Sequence, residues 1–421
     1  MTSSAPAAPA ASDADADAAR GSAPVRFGVV GCGGIGRWHA RNIRLLPGLE
    51  LAAVADPDPQ ARARAGRDFG APACAGADEL LARGDVDAVS ICAPPAVHAH
   101  LIEAAAAAGK HVLVEKPLAL TVVQANRAIS ACEQAGVLLA VVHQQRARSS
   151  TRALERLLRE GAFGTPLLAS VVHTWFKTQA QLDRDPWRGD AASGGGLLLD
   201  QAVHGLDLLV WFLGEPAWVV GASATLARRT RGEDTAAAVV GFRSGLLATL
   251  AAGAAANGAR DDIALELAGT RGGFRLEVRD YDDAEIVRLE LARSDEERAH
   301  PLPADEVEDL VRCSGGAWRA GPRAPLWRIA GRLAGGGRGV HAFRSPRAWL
   351  RRQADRAAQA ERREPQGHAA VLANMAAAIR GEAQPLVSGT EARRSLAIVE
   401  GIRVSEAAGG RRVSLPDLVP A

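Results

Sequence analysis

Lysine and tyrosine are scarce in this 421-residue chain. Only three of its fifty basic residues are lysine, at Lys110, Lys116 and Lys177, and Tyr281 is the single tyrosine. Arginine stays charged at any ordinary pH, whereas a lysine ammonium is a compact charge whose pKa responds to its surroundings. A lysine retained in such an arginine-rich chain therefore carries information about function.

Paired cysteines and long apolar runs are also missing. The five cysteines are odd in number and none belongs to a C-x-x-C pair, which argues against a disulfide framework and a zinc site. We therefore expect a reducing, cytoplasmic location and no metal. No apolar run reaches about 18 residues, and no charged segment followed by an apolar core opens the sequence, so we expect neither a membrane span nor a secretory signal.

A large excess of charge of either sign is absent as well. Fifty Lys and Arg residues face 48 Asp and Glu residues, which gives a formal net charge of +2. We therefore do not expect nucleic acid as a partner of the whole surface. The length is sufficient for two domains with a cleft between them.

The composition and hydrophobic pattern of the chain change twice, and these changes predict its domains. Residues 1–24 are rich in Ala, Pro, Ser and Asp without a hydrophobic period, so we expect a disordered leader. Over residues 25–146, apolar strand-like runs alternate with helical stretches, which predicts an α/β domain with a doubly wound parallel sheet. Residues 147–421 hold many consecutive strand-like runs, which predicts an α+β domain built on a large open antiparallel sheet.

A glycine-rich motif follows the first predicted strand. Gly31, Gly33 and Gly36 match G-x-G-x-x-G where a helix opens, the fingerprint of a Rossmann dinucleotide-binding domain. Asp56 ends the second predicted strand about 20 residues later, where a carboxylate accepts hydrogen bonds from the ribose hydroxyls of NAD and repels the 2′-phosphate of NADP. We therefore expect NAD as the cofactor, with NADP as the alternative because two arginines follow closely.

Two further groups of residues lie where ligands are expected. Glu115, Lys116 and Pro117 come at the carboxyl end of the fourth predicted strand of the N-terminal domain, the edge at which open α/β sheets bind ligands. Asp200 and His204 are four residues apart in a predicted helix, so they share one face. A lysine, an aspartate and a histidine near a nicotinamide form a set suited to moving a hydride off an alcohol.

With these motifs in place, the sequence resembles the glucose-fructose oxidoreductase / inositol dehydrogenase family, also called Gfo/Idh/MocA. The resemblance extends from about residue 25 to residue 415. It is carried, in order along the chain, by the glycine loop and by residues 94–98, 115–117, 187–188, 194–196, 200–204 and 385–389. The family often has glycine where this chain has Ala202, a difference that removes no catalytic group.

The resemblance implies roles for individual residues. Lys116 would polarise the substrate oxygen and hold a developing alkoxide, His204 would act as general acid and base, and Asp200 would orient His204 or bind a neighbouring hydroxyl. The implied cofactor-binding residues are Gly31, Gly33, Gly34, Ile35, Gly36, Asp56, Pro94, His98, Glu115 and Lys116. The implied substrate-binding residues are Arg146, Lys177, Trp187 and Arg188.

These observations favour an NAD(P)-dependent oxidoreductase that transfers a hydride between a nicotinamide and a secondary alcohol or ketone. The expected substrate is a sugar, a cyclitol or a related polyol, with or without a phosphate group, and a homo-oligomer is expected by analogy. Two alternatives stay open: an NAD-assisted glycosidase of the same fold, and a non-enzymatic nucleotide-sensing or partner-binding protein. Tyr281 has no lysine four residues on, which excludes the short-chain type, and the cysteine ligands of metal-dependent alcohol dehydrogenases are missing.

An arginine-rich insert is expected at about residues 312–366. Between Arg312 and Arg363 there are thirteen arginines and two acidic residues, interleaved with four aromatic residues. Such a segment could clamp an anionic substrate, bind nucleic acid or an acidic protein, or form a solvated surface insertion.

Overall fold

The computed structural model describes residues 23–254, 262–279, 284–291 and 365–418. The expected leader up to residue 22 and the arginine-rich insert up to residue 364 lie outside the described residues. The first part of the chain contains the strands β1 Val25–Val30, β2 Leu49–Ala55, β3 Ala73–Cys74, β4 Ala88–Ile91, β5 His111–Glu115 and β6 Leu139–Val142. Its helices are α1 Gly34–Leu45, α2 Pro59–Phe69, α3 Ala77–Leu81, α4 His98–Ala107 and α5 Val122–Ala135.

These six strands form one parallel sheet in the order β3-β2-β1-β4-β5-β6. The chain steps outwards from β1 in both directions, so the prediction of a doubly wound sheet is confirmed. β1, β4 and β5 are buried along almost their whole length, as expected where helices cover both faces of a parallel sheet. The carboxyl ends of β1 and β4 lie side by side at the switch point, the usual ligand-binding position of this architecture.

The second part is built on an eight-stranded sheet. Its strands are β7 Pro166–Thr174, β8 Pro216–Ala224, β9 Thr235–Phe242, β10 Leu247–Gly253, β11 Asp262–Gly269, β12 Gly272–Arg279, β13 Ala284–Leu291 and β14 Val413–Ser414. Its helices are α6 Ser149–Arg159, α7 Gln179–Arg184, α8 Val203–Leu213, α9 Gly367–Ile379, α10 Gly389–Ala407 and α11 Leu415–Leu418. Shorter helical turns lie at Pro95–Val97, Gln144–Ala147, Pro186–Gly189, Ala191–Ser193 and Leu198–Ala202.

This second sheet is mixed, which corrects the expectation of an antiparallel sheet. Its order is β13-β12-β11-β7-β10-β9-β8-β14, and β7 runs parallel to β10 while the other neighbours are antiparallel. The cause is the crossover through α8, which returns β8 in the same direction as β7. The two hairpin connections β8–β9–β10 then bring β10 beside β7 with that direction kept.

Helix α9 returns to the first part of the chain. Val371, Leu372 and Met375 are buried in one cluster with Phe27 of β1 and Ile43 of α1. The expected division placed residues 147–421 in a single unit, whereas this helix shares the core of the first sheet. Helix α10 packs on β8 and α8 of the second part and also contacts α5 and β6 of the first, so it joins the two halves.

The helical run Ala191–Leu213 is apolar and long enough to cross a membrane by length and composition, yet 89% of that apolar window is buried inside the protein. It is a core element of the second part. It contains a π-helical turn, Leu198–Ala202, directly before α8. Such turns are frequent at functional sites, and this one holds Asp200.

Candidate active site

The glycine loop lies between β1 and α1, at the carboxyl edge of the first sheet. Gly31 has a φ of +97°, and a Cβ placed there would lie 2.7 Å from the backbone of Cys92. A Cβ on Gly36 would lie 1.7 Å from the Gly31 carbonyl oxygen, whereas Gly33 and Gly34 have open space at that position. Two of these glycines are therefore required by the fold itself. The other two leave an open cradle at the N-terminus of α1, which fits a dinucleotide pyrophosphate.

Asp56 lies just beyond β2, at the edge of this cradle. Its carboxylate accepts hydrogen bonds from the backbone N–H groups of Cys32 at 2.7 Å and Asp58 at 2.8 Å. A carboxylate offers about four acceptor positions, so room is left for ribose hydroxyls. Arg62 donates to the Asp56 carbonyl oxygen at 3.2 Å, which places a guanidinium at the same edge. The geometry fits NAD and keeps NADP as an alternative.

The neighbouring loops contain the other expected cofactor contacts. Ile35 and Pro94 are exposed beside the glycine loop. His98 is buried, and its two ring nitrogens each lie 2.8 Å from a carbonyl oxygen, of Pro117 and of Ala93. Burial lowers the pKa of His98 more than these two carbonyls raise it. The ring thus links the loop after β4 to the loop after β5, so His98 supports the cofactor edge through the loops it joins.

Glu115 ends β5 inside a buried polar network. Its Oε1 lies 3.0 Å from His39 Nε2 and 3.5 Å from His368 Nε2, and the other ring nitrogen of His39 lies 2.7 Å from Ser90 Oγ. Burial raises the pKa of Glu115, but the two histidines outweigh it and hold that pKa well below its usual range. The sequence did not reveal this set, whose ligand atoms lie within 4.8 Å of one another and could also hold a metal ion. The network fixes the strand end that carries Lys116.

Asp200 joins the two halves of the protein. Lys116 donates to its carbonyl oxygen, and the Lys116 Nζ lies 3.7 Å from Oδ1. Lys177 donates to Oδ2, and Arg188 donates to Oδ1 at 3.0 Å. Burial raises the pKa of this carboxyl, but the three cations outweigh it and hold the pKa well below its usual range. The structure thus brings three of the predicted site residues onto one carboxylate.

His204 lies one turn beyond Asp200 and is 3% exposed. Its Nδ1 has no hydrogen-bond partner among the described residues, so the implied orientation by Asp200 is not made at that nitrogen. Burial lowers the pKa of His204 well below its ordinary value, and the Lys116 ammonium lowers it further. The ring is therefore neutral at pH 7 and able to accept a proton.

Two more histidines, His143 and His173, extend this group, and neither was predicted to belong to the site. The His143 ring centroid lies 6.5 Å from that of His204, and His143 Nδ1 lies 3.5 Å from Asp207 Oδ2. Burial and Lys116 lower the pKa of His173 to about 3. No local motif marks these two residues, because they follow β6 and lie within β7, far from His204 in the sequence.

Arg146 differs from its expected place at the substrate. It is 1% exposed, and its guanidinium donates to Asp207 at 2.8 and 2.7 Å and to Glu391 at 3.2 Å. Its charge also lies 5.6 Å from the ring centroid of Trp211. These partners engage all three guanidinium nitrogens, so Arg146 is not presented to a ligand. Its role is to support Asp207, which lies behind His143.

Comparison with known families matches both halves of the chain. Residues 25–143 match the oxidoreductase family with an NAD-binding Rossmann fold, and residues 151–275 match the GFO/IDH/MocA C-terminal domain. D-apiose dehydrogenase of Paraburkholderia graminis is 30% identical over 63% of this chain and 69% of its own length. The chain belongs to the Gfo/Idh/MocA family.

Other Gfo/Idh/MocA-type proteins are similar over different shares of the chain. Inositol 2-dehydrogenase 3 of Saccharopolyspora erythraea is 34% identical over 49% of this chain and 58% of its own length. The chain spans 55% to 69% of the length of such relatives. The crystal structure of the WlbA dehydrogenase from Bordetella pertussis, in complex with NADH and UDP-GlcNAcA, is 25% identical. It covers 94% of this chain and 98% of its own, with a TM-score of 0.74.

Beside Asp200, the Gfo/Idh/MocA-type second domain contains a cleft. The residues that line it include Trp175, Lys177, Arg188, Asp200, Arg228 and Glu233. Trp187 supports this cleft through Arg188, whose guanidinium lies 4.4 Å from the Trp187 ring centroid. Arg228 was not predicted, because nothing in its local sequence distinguishes it from the many other arginines of the chain.

Proposed function

We propose that this protein transfers a hydride reversibly between the nicotinamide of NAD and a secondary alcohol of a sugar, cyclitol or related polyol. The observation that carries the proposal is the contact of Lys116 with Asp200, one turn before His204. This contact supports a site in which an ammonium and a neutral histidine lie at the carboxyl edge of the parallel sheet, where this architecture binds its dinucleotide. The first sheet together with α9 would hold the cofactor, and the second sheet would hold the substrate.

The reaction would divide between two side chains of this protein. The Lys116 ammonium stabilises negative charge as it develops on the substrate oxygen. His204 accepts the hydroxyl proton during oxidation and returns it during reduction. Because burial and Lys116 lower the pKa of His204, the ring is neutral at pH 7, the form that a general base requires. Bound NAD supplies the hydride acceptor.

Asp200 contributes by holding the cations in place. Its two carboxylate oxygens are shared by Lys177 and Arg188, and Lys116 lies within 3.7 Å. A carboxylate with so low a pKa stays ionised throughout the working pH range. We infer that it positions the Lys116 ammonium and that its loss would misplace this group.

The substrate class is supported by the names of similar proteins and by the cleft. D-apiose and inositol are the substrates named for two relatives, and UDP-GlcNAcA is the sugar nucleotide bound in the WlbA dehydrogenase complex. The cleft is lined by an aromatic ring, Trp175, and by polar and charged side chains, the combination that suits a hydroxylated ring. These facts support a polyol substrate.

We propose a homo-oligomer and a cytoplasmic location as well. One face of the second sheet leaves Leu168, Val172 and Leu247 between 44% and 53% exposed on the neighbouring strands β7 and β10. Contiguous apolar side chains on an open sheet favour association. Light scattering should give a multiple of 43.8 kDa, and Leu168→Arg should give a monomer; a wild-type monomer would contradict the proposal.

The proposed cytoplasmic location is supported by the cysteines. The four described cysteines are free and buried, as expected in a reducing compartment.

The proposed function is tested by NAD- and NADP-linked spectrophotometry against neutral and anionic sugars, cyclitols and nucleotide sugars. We expect reduced cofactor with at least one polyol, and NAD preferred over NADP. An enzyme that binds NAD but reduces it with no member of the panel would count against the proposal.

A further inference from the structure

More cations than carboxylates lie around Asp200. Lys116, Lys177 and Arg188 all approach its carboxylate, and Arg188 Nε also lies 3.8 Å from Asp185 Oδ2. Two negative charges therefore face these three cations. Because the carboxylate is buried, the remaining charge is weakly screened and creates an environment that favours an anion.

The other carboxylates of the lining have partners of their own. Glu233 Oε1 accepts from the Leu198 backbone N–H at 2.9 Å and lies 3.4 Å from Arg403 Nη2. Asp234 accepts hydrogen bonds from three consecutive backbone N–H groups, of residues 226, 227 and 228, at 2.8 to 2.9 Å. Glu233 is therefore paired with Arg403 outside this group, whereas Asp234 remains a negative charge at the loop that carries Arg228.

Arg228 adds a fourth cation to this cleft. Its Nε and Nη2 are buried and have no hydrogen-bond partner among the described residues. Its guanidinium lies 5.3 Å from the ring centroid of Phe176. This contact engages one face of the guanidinium plane and does not use its N–H donors. Buried donors without a partner are costly, so this arrangement indicates a missing acceptor.

The backbone of Arg228 is fixed in advance. The three hydrogen bonds to Asp234 tie down the loop between β8 and β9 that carries it. Burial raises the pKa of Asp234, but the three N–H donors outweigh it and lower the pKa, so the carboxylate stays ionised and the loop stays tied at neutral pH. A fork held in this way matches a planar carboxylate or a phosphate group.

We propose that the substrate carries an anionic group, a carboxylate or a phosphate ester, which binds Arg228 beside Lys177 and Arg188. This inference rests on the proposed function, since it places the anion next to the hydroxyl that Lys116 and His204 would act on. It makes Arg228 a specificity-determining residue of the second sheet.

Matched substrate pairs test the proposal with NAD. Glucuronate is compared with glucose, UDP-glucuronate with UDP-glucose, and glucose 6-phosphate with glucose. In at least one pair we expect kcat/KM to be at least about 10-fold higher, through KM, for the member with the added carboxylate or phosphate. UDP-glucose and UDP-glucuronate share a diphosphate, so that pair tests the carboxylate alone, and glucose 6-phosphate tests the phosphate ester. Equal or higher kcat/KM for the member without the added anionic group in every pair would overturn the proposal.

Arg228→Gln should raise KM for the preferred anionic substrate about 10-fold and change KM for its neutral partner less than twofold. Arg228→Lys should restore part of the loss. Arg229→Gln, at the exposed neighbouring position, is the matched control and should leave both KM values unchanged. An equal effect of Arg228→Gln on both members of the pair would contradict the assignment.

Failure of this inference can be told apart from failure of the proposed function. Binding of UDP-glucuronate, glucuronate and UDP to the NADH-saturated protein is measured by calorimetry, which needs no turnover. Anion binding that Arg228→Gln weakens, without any NAD reduction, would remove the catalytic proposal and keep the anion site. Turnover of neutral polyols with no anion binding would remove the anion site and keep the catalytic proposal.

Discussion

The cofactor edge and the substrate cleft of this protein are built in different ways. The cofactor edge uses one short stretch of chain, in which Gly31 to Gly36 and Asp56 meet through backbone hydrogen bonds and close packing. The region around Asp200 brings Lys116, from the end of β5, to Lys177 and Arg188, from the segment between β7 and α8, around one carboxylate. Steric fit controls the first region and charge balance the second, so the two should respond differently to mutation.

The largest expected effect lies in the second region. Lys116→Met and His204→Ala should each lower kcat by about 10²-fold or more, because they remove the alkoxide-stabilising cation and the proton acceptor. Steady-state kinetics gives kcat, and fluorescence titration gives NAD affinity, which should change little. Near-normal turnover in a folded variant would remove that residue from the mechanism.

Two glycine substitutions probe the first region and should separate fold from ligand. Gly36→Ala places a Cβ 1.7 Å from the Gly31 carbonyl oxygen, so we expect a loss of about 1–3 kcal/mol or more in the free energy of unfolding, as for overpacking, and weaker NAD binding. Gly33→Ala meets no atom within 4 Å and should leave stability unchanged while weakening NAD binding. Thermal melts and NAD titrations distinguish them, and equal destabilisation by both would refute the distinction.

Asp56 should have a smaller effect, on the choice of cofactor. Asp56→Ala removes the ribose acceptor and the partner of the Cys32 N–H group, so we expect NAD affinity to fall about 10-fold and NADP affinity to change less. Asp56→Asn keeps an acceptor oxygen, so its NAD affinity should lie between those of the wild-type protein and Asp56→Ala. Titrations of both cofactors give the ratio, and a wild-type protein that prefers NADP would overturn the assignment.

The pH dependence of stability should be the most gradual effect. Burial is the largest cause that lowers the pKa of His39, His98, His143, His173 and His204. Below about pH 6.5 the unfolded chain takes up protons that the folded protein excludes, so acid favours unfolding. Each such histidine adds to this loss of stability between about pH 6.5 and its own folded pKa.

Denaturant unfolding between pH 8 and pH 5 measures this slope. His173→Gln should reduce the slope, because the variant has one histidine fewer that takes up a proton only in the unfolded chain. His100→Gln, at an exposed position, should leave the slope unchanged. A stability that stays constant between pH 7 and pH 5 would contradict the burial of neutral histidines.

The same contrast explains how much the sequence could predict. The doubly wound sheet and the position of the glycine loop were predictable because strand and helix alternate and G-x-G-x-x-G is a local steric code. Lys116, Asp200 and His204 were found through family motifs. The ion pair of Arg146 with Asp207 and the parallel pairing of β7 with β10 were not predictable, because each depends on partners brought together by tertiary packing. The same holds for the environment of Arg228, whose Nε and Nη2 have no hydrogen-bond partner among the described residues.

The central claim is hydride transfer assisted by Lys116 and His204, and isotope transfer tests it most directly. A polyol that is turned over is deuterated at the carbon of its reacting alcohol, and the reduced cofactor is analysed by mass spectrometry. We predict one deuterium in the reduced nicotinamide with the wild-type protein and at least about 10²-fold slower labelling with Lys116→Met. Cleavage of a glycoside without net labelled NADH, or no labelling with any polyol that binds, would contradict the account.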